Sequence, residues 1–359
     1  MADFPTEPGA VTPAWIDRAL RSSGALNEGE VTGVDWQPIG TGQVGDSARF
    51  ELAYAAPSDG PATVAGKFPA AYATSRGTAA MFGLYRKEVE FYRDVAPQLA
   101  VRVPATHATE LSEDGADFLL LFEDLGPARG GDQLASCSIE DARGAIRQAA
   151  AIHAPSWGNA LILEAEWLQP PAGLGERIAE MYPQAQAIWR ERYGDVLEPE
   201  LMVVCEELAD ASEVWFRRED APQCLVHGDF RLDNMLFDIK GGEEPVAVLD
   251  WQTVTIGKAM IDIGYFLGCG IGAELRERYE DDLIDLYLSE MRARGVTLSR
   301  DDIWQDYRIG ALHGVSTAVF SAAFVERTER GDANFLSMAR GACSLALAHD
   351  SMAALKETA

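Results

Sequence analysis

The chain has 359 residues, enough for two domains or one large unit with two lobes, and 47% of them are hydrophobic, which supports a sizeable core. Asp and Glu number 57 against 30 Lys and Arg, a formal net charge of −27, so the surface repels nucleic acid and anionic membrane. The five cysteines, Cys137, Cys205, Cys224, Cys269 and Cys343, are scattered without C-x-x-C spacing, which fits reduced thiols in a cytoplasmic protein, and no stretch approaches the roughly 20 apolar residues of a membrane span.

The N-terminus, MADFPTEPGA, is acidic and lacks the apolar core of a secretory signal. VTPAWIDRALRSSGAL reads as a short helix with Thr12 as N-cap and Pro13 in the first helical position. VTGVDWQPIG and SARFELAYAA read as strands, residues 56–62 as a turn, and TVAGKFPA as a third strand. Residues 78–99 hold a helix, with Met81, Leu84, Tyr85, Glu88, Phe91, Tyr92 and Val95 at helical spacing. VRVPATHATEL and DFLLLFEDLG add two strands around a turn at SEDGAD. After GPARGGDQ the texture changes: 138–220 and 273–357 read as long helices, with strands at 224–227, 234–239 and 246–250. The expectation is an α+β chain with a β-rich lobe over 1–125, carrying one main helix, and a mostly helical lobe over 126–359.

GTGQVG at 40–45 is a G-x-G-x-x-G, a weak signal by itself. A Rossmann turn runs into a helix, whereas this one runs into a strand, and Asp46 stands where a Walker loop needs Lys. That leaves a strand–loop–strand hairpin, either an ordinary turn or the form that covers nucleotide phosphates in kinases. Lys67 has Val64, Ala65 and Phe68 around it, and a buried ammonium needs a partner. Glu88 lies on the apolar side of the following helix and Glu90 does not, so Lys67–Glu88 is the expected pair; a solvated edge-strand Lys is the alternative.

LVHGDFRLDNMLFD, at 225–238, sets Asp229 and Asn234 after His227, and Asp250 follows the apolar run Val246–Leu249. Asp and Asn are hard oxygen ligands that suit Mg²⁺ rather than zinc, and His227 has no second His or Cys at zinc spacing. Neither a G-x-S-x-G nor a Cys beside a His is present for covalent catalysis. Phosphoryl transfer needs a base for the attacking hydroxyl, metal on the phosphates and a cation on the α/β oxygens. Lys67, Glu88, Asp229, Asn234 and Asp250 supply these in the chain order of a kinase.

On these residues the chain resembles the aminoglycoside-phosphotransferase-like small-molecule kinases, and among them the ecdysteroid-kinase-like branch. The resemblance is carried by GTGQVGDSARF, VAGKF, KEVEFY, LLLFEDLG, HGDFRLDNMLF, VLDWQ and MIDIGYFLG, and covers roughly residues 30–350. It implies a bilobal protein-kinase-like fold, ATP and Mg²⁺ as cofactors, and a small-molecule hydroxyl acceptor. It further implies Asp229 as catalytic base, Asn234 and Asp250 on Mg²⁺, Lys67 on the phosphates steadied by Glu88, and Gly40, Gly42 and Gly45 as backbone cover. The Glu123 carbonyl and Leu125 amide would meet the adenine edge, with Phe122 behind it. His227 would brace the catalytic loop and Asp262 would fix its backbone. Arg231 would either face the γ-phosphate or pair with an acid, and Asp233 and Asp238 read as turn or surface acids.

Gly228 stands where protein kinases carry an Arg that meets a phosphorylated activation loop, and Asp250 lies only twelve residues before Asp262. Both features imply a constitutively assembled kinase for a small substrate. The alternatives are a nucleotide-binding pseudokinase, although the residues such proteins usually lose are all present, and an aminoglycoside- or choline-type kinase. Aminoglycoside sites of this superfamily use dense carboxylate clusters late in the helical lobe. Here GACSLALAHDSMAALKETA holds only Asp350 and Glu357, and the preceding helical stretch keeps Glu326 and Glu329 at its charged end. The expected acceptor is therefore a neutral or weakly charged, largely apolar alcohol. Leu312, Val315, Val319, Phe320, Phe324, Phe335, Leu336 and Met338 either wall its cavity or form core between helices.

Overall fold

The computed structural model describes residues 3–40, 45–72, 76, 77, 79, 80, 82–218, 221–325 and 327–358. The leading helix, α1 (Pro13–Ser22), is capped as expected: the Thr12 hydroxyl oxygen accepts from the Trp15 N–H, and Pro13 occupies the first turn. Five strands then build an antiparallel sheet: β1 (Val31–Ile39), β2 (Gly45–Tyr54), β3 (Thr63–Pro69), β4 (Thr106–Leu111) and β5 (Phe118–Glu123). Their spatial order is β1-β2-β3-β5-β4. Between β3 and β4, β5 is buried on both faces, which explains its unbroken apolar run. Leu119 and Leu121 pack with Trp15, Ile16 and Leu20, while Phe118, Leu120 and Phe122 join the core that continues into the helical lobe.

The helix expected over 78–99 is shorter and changes pitch. The regular helix α2 is Leu84–Glu90, followed by a π turn over Phe91–Val95 and a 3₁₀ turn over Ala96–Gln98. Pro97 has no N–H to continue the ladder, so the α-helix cannot run through 99. Met81 lies outside the described residues. The inward stripe nonetheless holds, since Tyr85, Glu88, Phe91, Tyr92 and Val95 are all buried.

The remainder is mainly helical. β6 (Arg129–Gly130) leads to α3 (Ile139–Ser156), which starts in a Ser138/Asp141 capping box, then α4 (Leu174–Tyr193) and α5 (Pro199–Asp210). The helices expected over 138–220 are separated where Gly158 and Gly173 take positive φ. Next come β7 (Cys224–Val226), β8 (Met235–Asp238), β9 (Glu244–Val248), β10 (Thr255–Gly257), α6 (Met260–Tyr265), α7 (Ala273–Ala293), α8 (Arg300–Phe324) and α9 (Glu329–Ala348). β6, β8 and β9 form one small sheet, and β10 pairs with β7. β6 and β10 were not legible as strands, because two or three residues carry no alternation to read. Among the described residues no helix is long and apolar enough to cross a membrane.

Candidate active site

Lys67 and Glu88 meet as the helical spacing predicts. The Lys67 ammonium is 2.7 Å from Glu88 Oε1 and 2.8 Å from Asp250 Oδ1, so it joins β3, α2 and the turn after β9. Burial opposes its charge, but Asp250 and Glu88 outweigh that and hold its pKa above the ordinary lysine value. Asp250 has φ 62°, a left-handed conformation that Asp tolerates better than most residues. The next residue, Trp251, is fully buried and stacks on Phe91 with centroids 3.8 Å apart and planes 9° from parallel. Packing against the π turn thus holds the Asp250 turn beside the helix that carries Glu88.

Asp229 lies on the loop between β7 and β8. Tyr265 donates to its Oδ1 at 2.8 Å, the Asn234 amide donates to its Oδ2 at 2.8 Å, and the Arg231 guanidinium lies 3.0 Å away. Burial pushes the Asp229 pKa up, but Arg231, Tyr265 and Asn234 prevail and hold it below the ordinary carboxylate value. Of the two roles open to Arg231, the structure shows the pairing: it bridges Asp229 and Asp233. Of the turn or surface positions expected for Asp233, it takes the turn, in the 3₁₀ turn Leu232–Asn234. Its carboxylate also accepts from the Gln133 N–H at 2.9 Å and the Asn334 amide at 3.2 Å, tying the loop to the link before α3 and to α9. Asp238 is exposed and pairs with Arg129.

The loop backbone hangs on Asp262, which is fully buried and accepts from the N–H groups of His227 at 2.7 Å and Gly228 at 2.9 Å. His153 contacts the same carboxylate at 3.2 Å. His227 meets the Leu249 carbonyl at 2.9 Å, so the expected brace is formed. Gly228 has φ +79°, and a Cβ there would lie 2.7 Å from the Thr253 carbonyl oxygen. Glycine is thus a steric requirement of this turn, besides standing where protein kinases carry an Arg. Two contributors were missed. Tyr265 lies three residues past Asp262 on the same helix, a spacing that could have revealed it. His313, whose Nε2 meets the Gly228 carbonyl at 2.8 Å, lies far along in α8 with no local motif to flag it.

Leu249 N–H donates to the Asn234 carbonyl at 2.8 Å, so the backbone segments that carry Asn234 and Asp250 are neighbours. Asn234 turns its amide nitrogen toward Asp229, leaving the amide oxygen on the other side. An amide oxygen and a carboxylate carried on neighbouring segments are the kind of donor that Mg²⁺ takes, one or two protein ligands beside water and phosphate.

Gly40 directly follows β1, at φ +75°. Gly45 opens β2, where a Cβ would lie 3.0 Å from the Phe68 carbonyl and 3.4 Å from Lys67 Cε, so this end of the loop is close to the Lys67 stem. Gly42 lies outside the described residues. At the other end of the cleft, Phe122 packs on Tyr92 and the Glu123 side chain turns toward Arg102 and Lys240. Burial opposes the charge on Glu123, but those cations and the Ala105 N–H bring its pKa down to about 2. Leu125 is buried, and its carbonyl accepts from the Lys240 N–H at 2.9 Å.

On the helical side of the catalytic loop is a cavity of about 460 Å³ with Ile178, Trp215, Phe216, Ile256, Ile261 and Phe320 in its wall. His313 lines it too, and so connects it to Gly228, the neighbour of Asp229. Of the apolar residues expected to wall a cavity or form core, Phe320 does the former, whereas Leu312, Val315, Val319 and Met338 are core. Phe324 is half-exposed, and Glu326 lies outside the described residues.

Residues 78–296 match the model of the phosphotransferase enzyme family. Among solved structures, a Ralstonia eutropha JMP134 protein provisionally assigned as an aminoglycoside phosphotransferase is 17% identical, with 93% of this chain and 97% of that one covered and a TM-score of 0.56. The GDP complex of wild-type aminoglycoside 2'-phosphotransferase-IIIa is 14% identical, covering 93% and 99%, with a TM-score of 0.51. These likenesses are of fold. Among curated proteins, acyl-CoA dehydrogenase family member 11 of Mus musculus is 46% identical over 46 residues, 13% of this chain and only 6% of that protein's length.

Proposed function

The chain belongs to the phosphotransferase enzyme family, and from that premise we propose that it transfers the γ-phosphate of ATP to a hydroxyl of a small, largely apolar alcohol, with Mg²⁺ as cofactor. The observation that carries this reading is the separation of two charged centres. Lys67 is bound by Glu88 and Asp250, and Asp229 is held ionised by Tyr265, Asn234 and Arg231.

In this reading Lys67 grips the nucleotide phosphates, Gly40, Gly42 and Gly45 cover them, and Glu88 keeps the ammonium in place. Asn234 and Asp250 would hold Mg²⁺, which supplies charge neutralisation on the phosphates when bound. The backbone of Glu123 and Leu125 receives the adenine edge, backed by Phe122, with the lobes hinging at residue 125. Asp229 accepts or orients the acceptor hydroxyl proton, and Arg231 fixes the Asp229 carboxylate and adds positive charge beside the transferring group. Nucleotide binding is also supported by the GDP complex of the neighbour of like fold.

The acceptor enters the cavity behind His313, whose wall is mostly apolar. None of the described residues lining it is Asp or Glu, which disfavours the kanamycin seen with one neighbour of this fold. The test is transfer of label from γ-³²P-ATP across a panel of sterol, terpenoid and alkyl alcohols alongside kanamycin-like polyamines. Saturable labelling of apolar alcohols is expected; labelling of the polyamines alone would overturn the acceptor assignment.

A further inference from the structure

His313 touches the catalytic loop and the cavity at once. It lines the cavity, and its Nε2 lies 2.8 Å from the Gly228 carbonyl oxygen. A carbonyl only accepts, so Nε2 carries the hydrogen, and in the neutral ring Nδ1 then keeps a lone pair. Nδ1 has no hydrogen-bond partner among the described residues, and it is not sealed from solvent. A second contact fixes the ring: it meets Tyr265 edge-on, with centroids 5.2 Å apart and planes at 76°. Tyr265 is the residue that donates to Asp229 Oδ1. His313 is thus oriented by the same groups that set the catalytic carboxylate, and it presents a hydrogen-bond acceptor with nothing to accept. Ser316 donates its hydroxyl to the His313 carbonyl at 3.0 Å, and Thr317 lies one turn on, about 6 Å along the axis of α8. A ligand donor close to the reacting hydroxyl therefore meets His313 first.

In the transfer, the acceptor oxygen bonds to the γ-phosphorus, the bond from that phosphorus to the β,γ-bridging oxygen breaks, and the proton of the reacting hydroxyl passes to Asp229. That hydroxyl has no other proton, so the His313 lone pair needs a second donor on the same molecule. We propose that His313 is a specificity-determining residue, and that the acceptor is an apolar diol whose second hydroxyl, on the carbon beside the one phosphorylated, donates to Nδ1. This rests on reading the cavity as the acceptor site, and it narrows the acceptor within the apolar alcohols. A site built to bond a second hydroxyl rejects the analogue that lacks it, because its own polar atom is then left unpaired. Ile178, Phe216, Ile256, Ile261 and Phe320 receive the hydrocarbon.

The test uses octane-1,2-diol, octan-1-ol and 2-methoxyoctan-1-ol, the last keeping the second oxygen without its hydrogen. Binding of each to the full chain is measured by titration calorimetry in the presence of Mg-ADP. The diol should bind about three- to tenfold tighter than either of the others, the scale of one hydrogen bond. His313→Phe should remove that preference. His313→Gln, whose amide can donate to Gly228 and accept from the diol, should keep most of it. In ¹⁵N NMR of the parent, the imidazole signals that vanish in His313→Gln should show an unprotonated Nδ1 that shifts with the diol and not with octan-1-ol. This signature decides the matter if His313→Phe does not fold. Equal binding of the three ligands, a preference that survives His313→Phe, or a hydrogen on Nδ1 overturns the inference and leaves the apolar-alcohol reading standing. Failure of all three to bind overturns that reading as well.

Discussion

At the scale of single residues, Asp229 and Gly228 show what the loop demands. Asp229→Asn keeps the shape and the contact with Tyr265 but removes the base, so transfer should fall by about 10²–10⁴-fold while nucleotide affinity holds. Turnover within a few-fold of the parent would place the base elsewhere. The depressed pKa of Asp229 means that it stays ionised as pH falls through the usual carboxylate range, so the acid limb of kcat/KM should lie low. Tyr265→Phe removes one donor to the carboxylate, raises its pKa and should move that limb to higher pH. It should also lower kcat by about tenfold, the worth of one hydrogen bond to a charged group. An unmoved limb in a pH–rate profile contradicts the assignment of Tyr265. Gly228→Ala forces an L side chain into positive φ against the Thr253 carbonyl and should cost about 1–3 kcal/mol, measured by denaturant unfolding; a variant as stable as the parent would show that the loop relaxes freely.

At the scale of elements, the pairing of Lys67 with Glu88 was legible because a helix repeats its inward face and only one of its two nearby acids falls on that face. The Asp250 turn was legible because an apolar run ended in an acid. The break of α2 into a π turn was not, since it comes with the packing of Phe91 on Trp251, a contact between segments far apart in sequence. The same limit hid His313 and the role of Asp233, whose partners lie on the link before α3 and on α9. Glu123 shows the converse: the resemblance pointed to its backbone, while its side chain forms an ion pair with Arg102 and Lys240 that only the fold brings together. The stacked pair carries its own prediction. Trp251→Ala should destabilise the protein by about 3–5 kcal/mol, as expected for a buried aromatic, and should loosen the Lys67–Glu88–Asp250 contact, weakening nucleotide binding. A loss below about 1 kcal/mol in denaturant unfolding would mean that the surface of Phe91 is covered by other means.

At the scale of the whole molecule, the α+β division into a sheet lobe and a helical lobe followed from texture alone, but the cavity did not. Leu312, Val315, Val319 and Met338, which could have walled it, proved to be core, and its lining is drawn from separate segments, among them the stretch after α5, β10 with the residue that follows it, and α8. The assembly predicts a division of labour across the cleft, with the nucleotide and its metal on the Lys67–Asn234–Asp250 side and the acceptor on the Asp229–His313 side. The most direct measurement is thermal unfolding with and without Mg-ATP for the parent, Asp250→Ala and Asp229→Asn. Saturating Mg-ATP should stabilise the parent and Asp229→Asn alike, by about 2.7 kcal/mol at a hundred times Kd. Asp250→Ala should lose most of the Mg²⁺-dependent part. Equal stabilisation of the parent and Asp250→Ala by Mg-ATP, or none in either, would contradict the account.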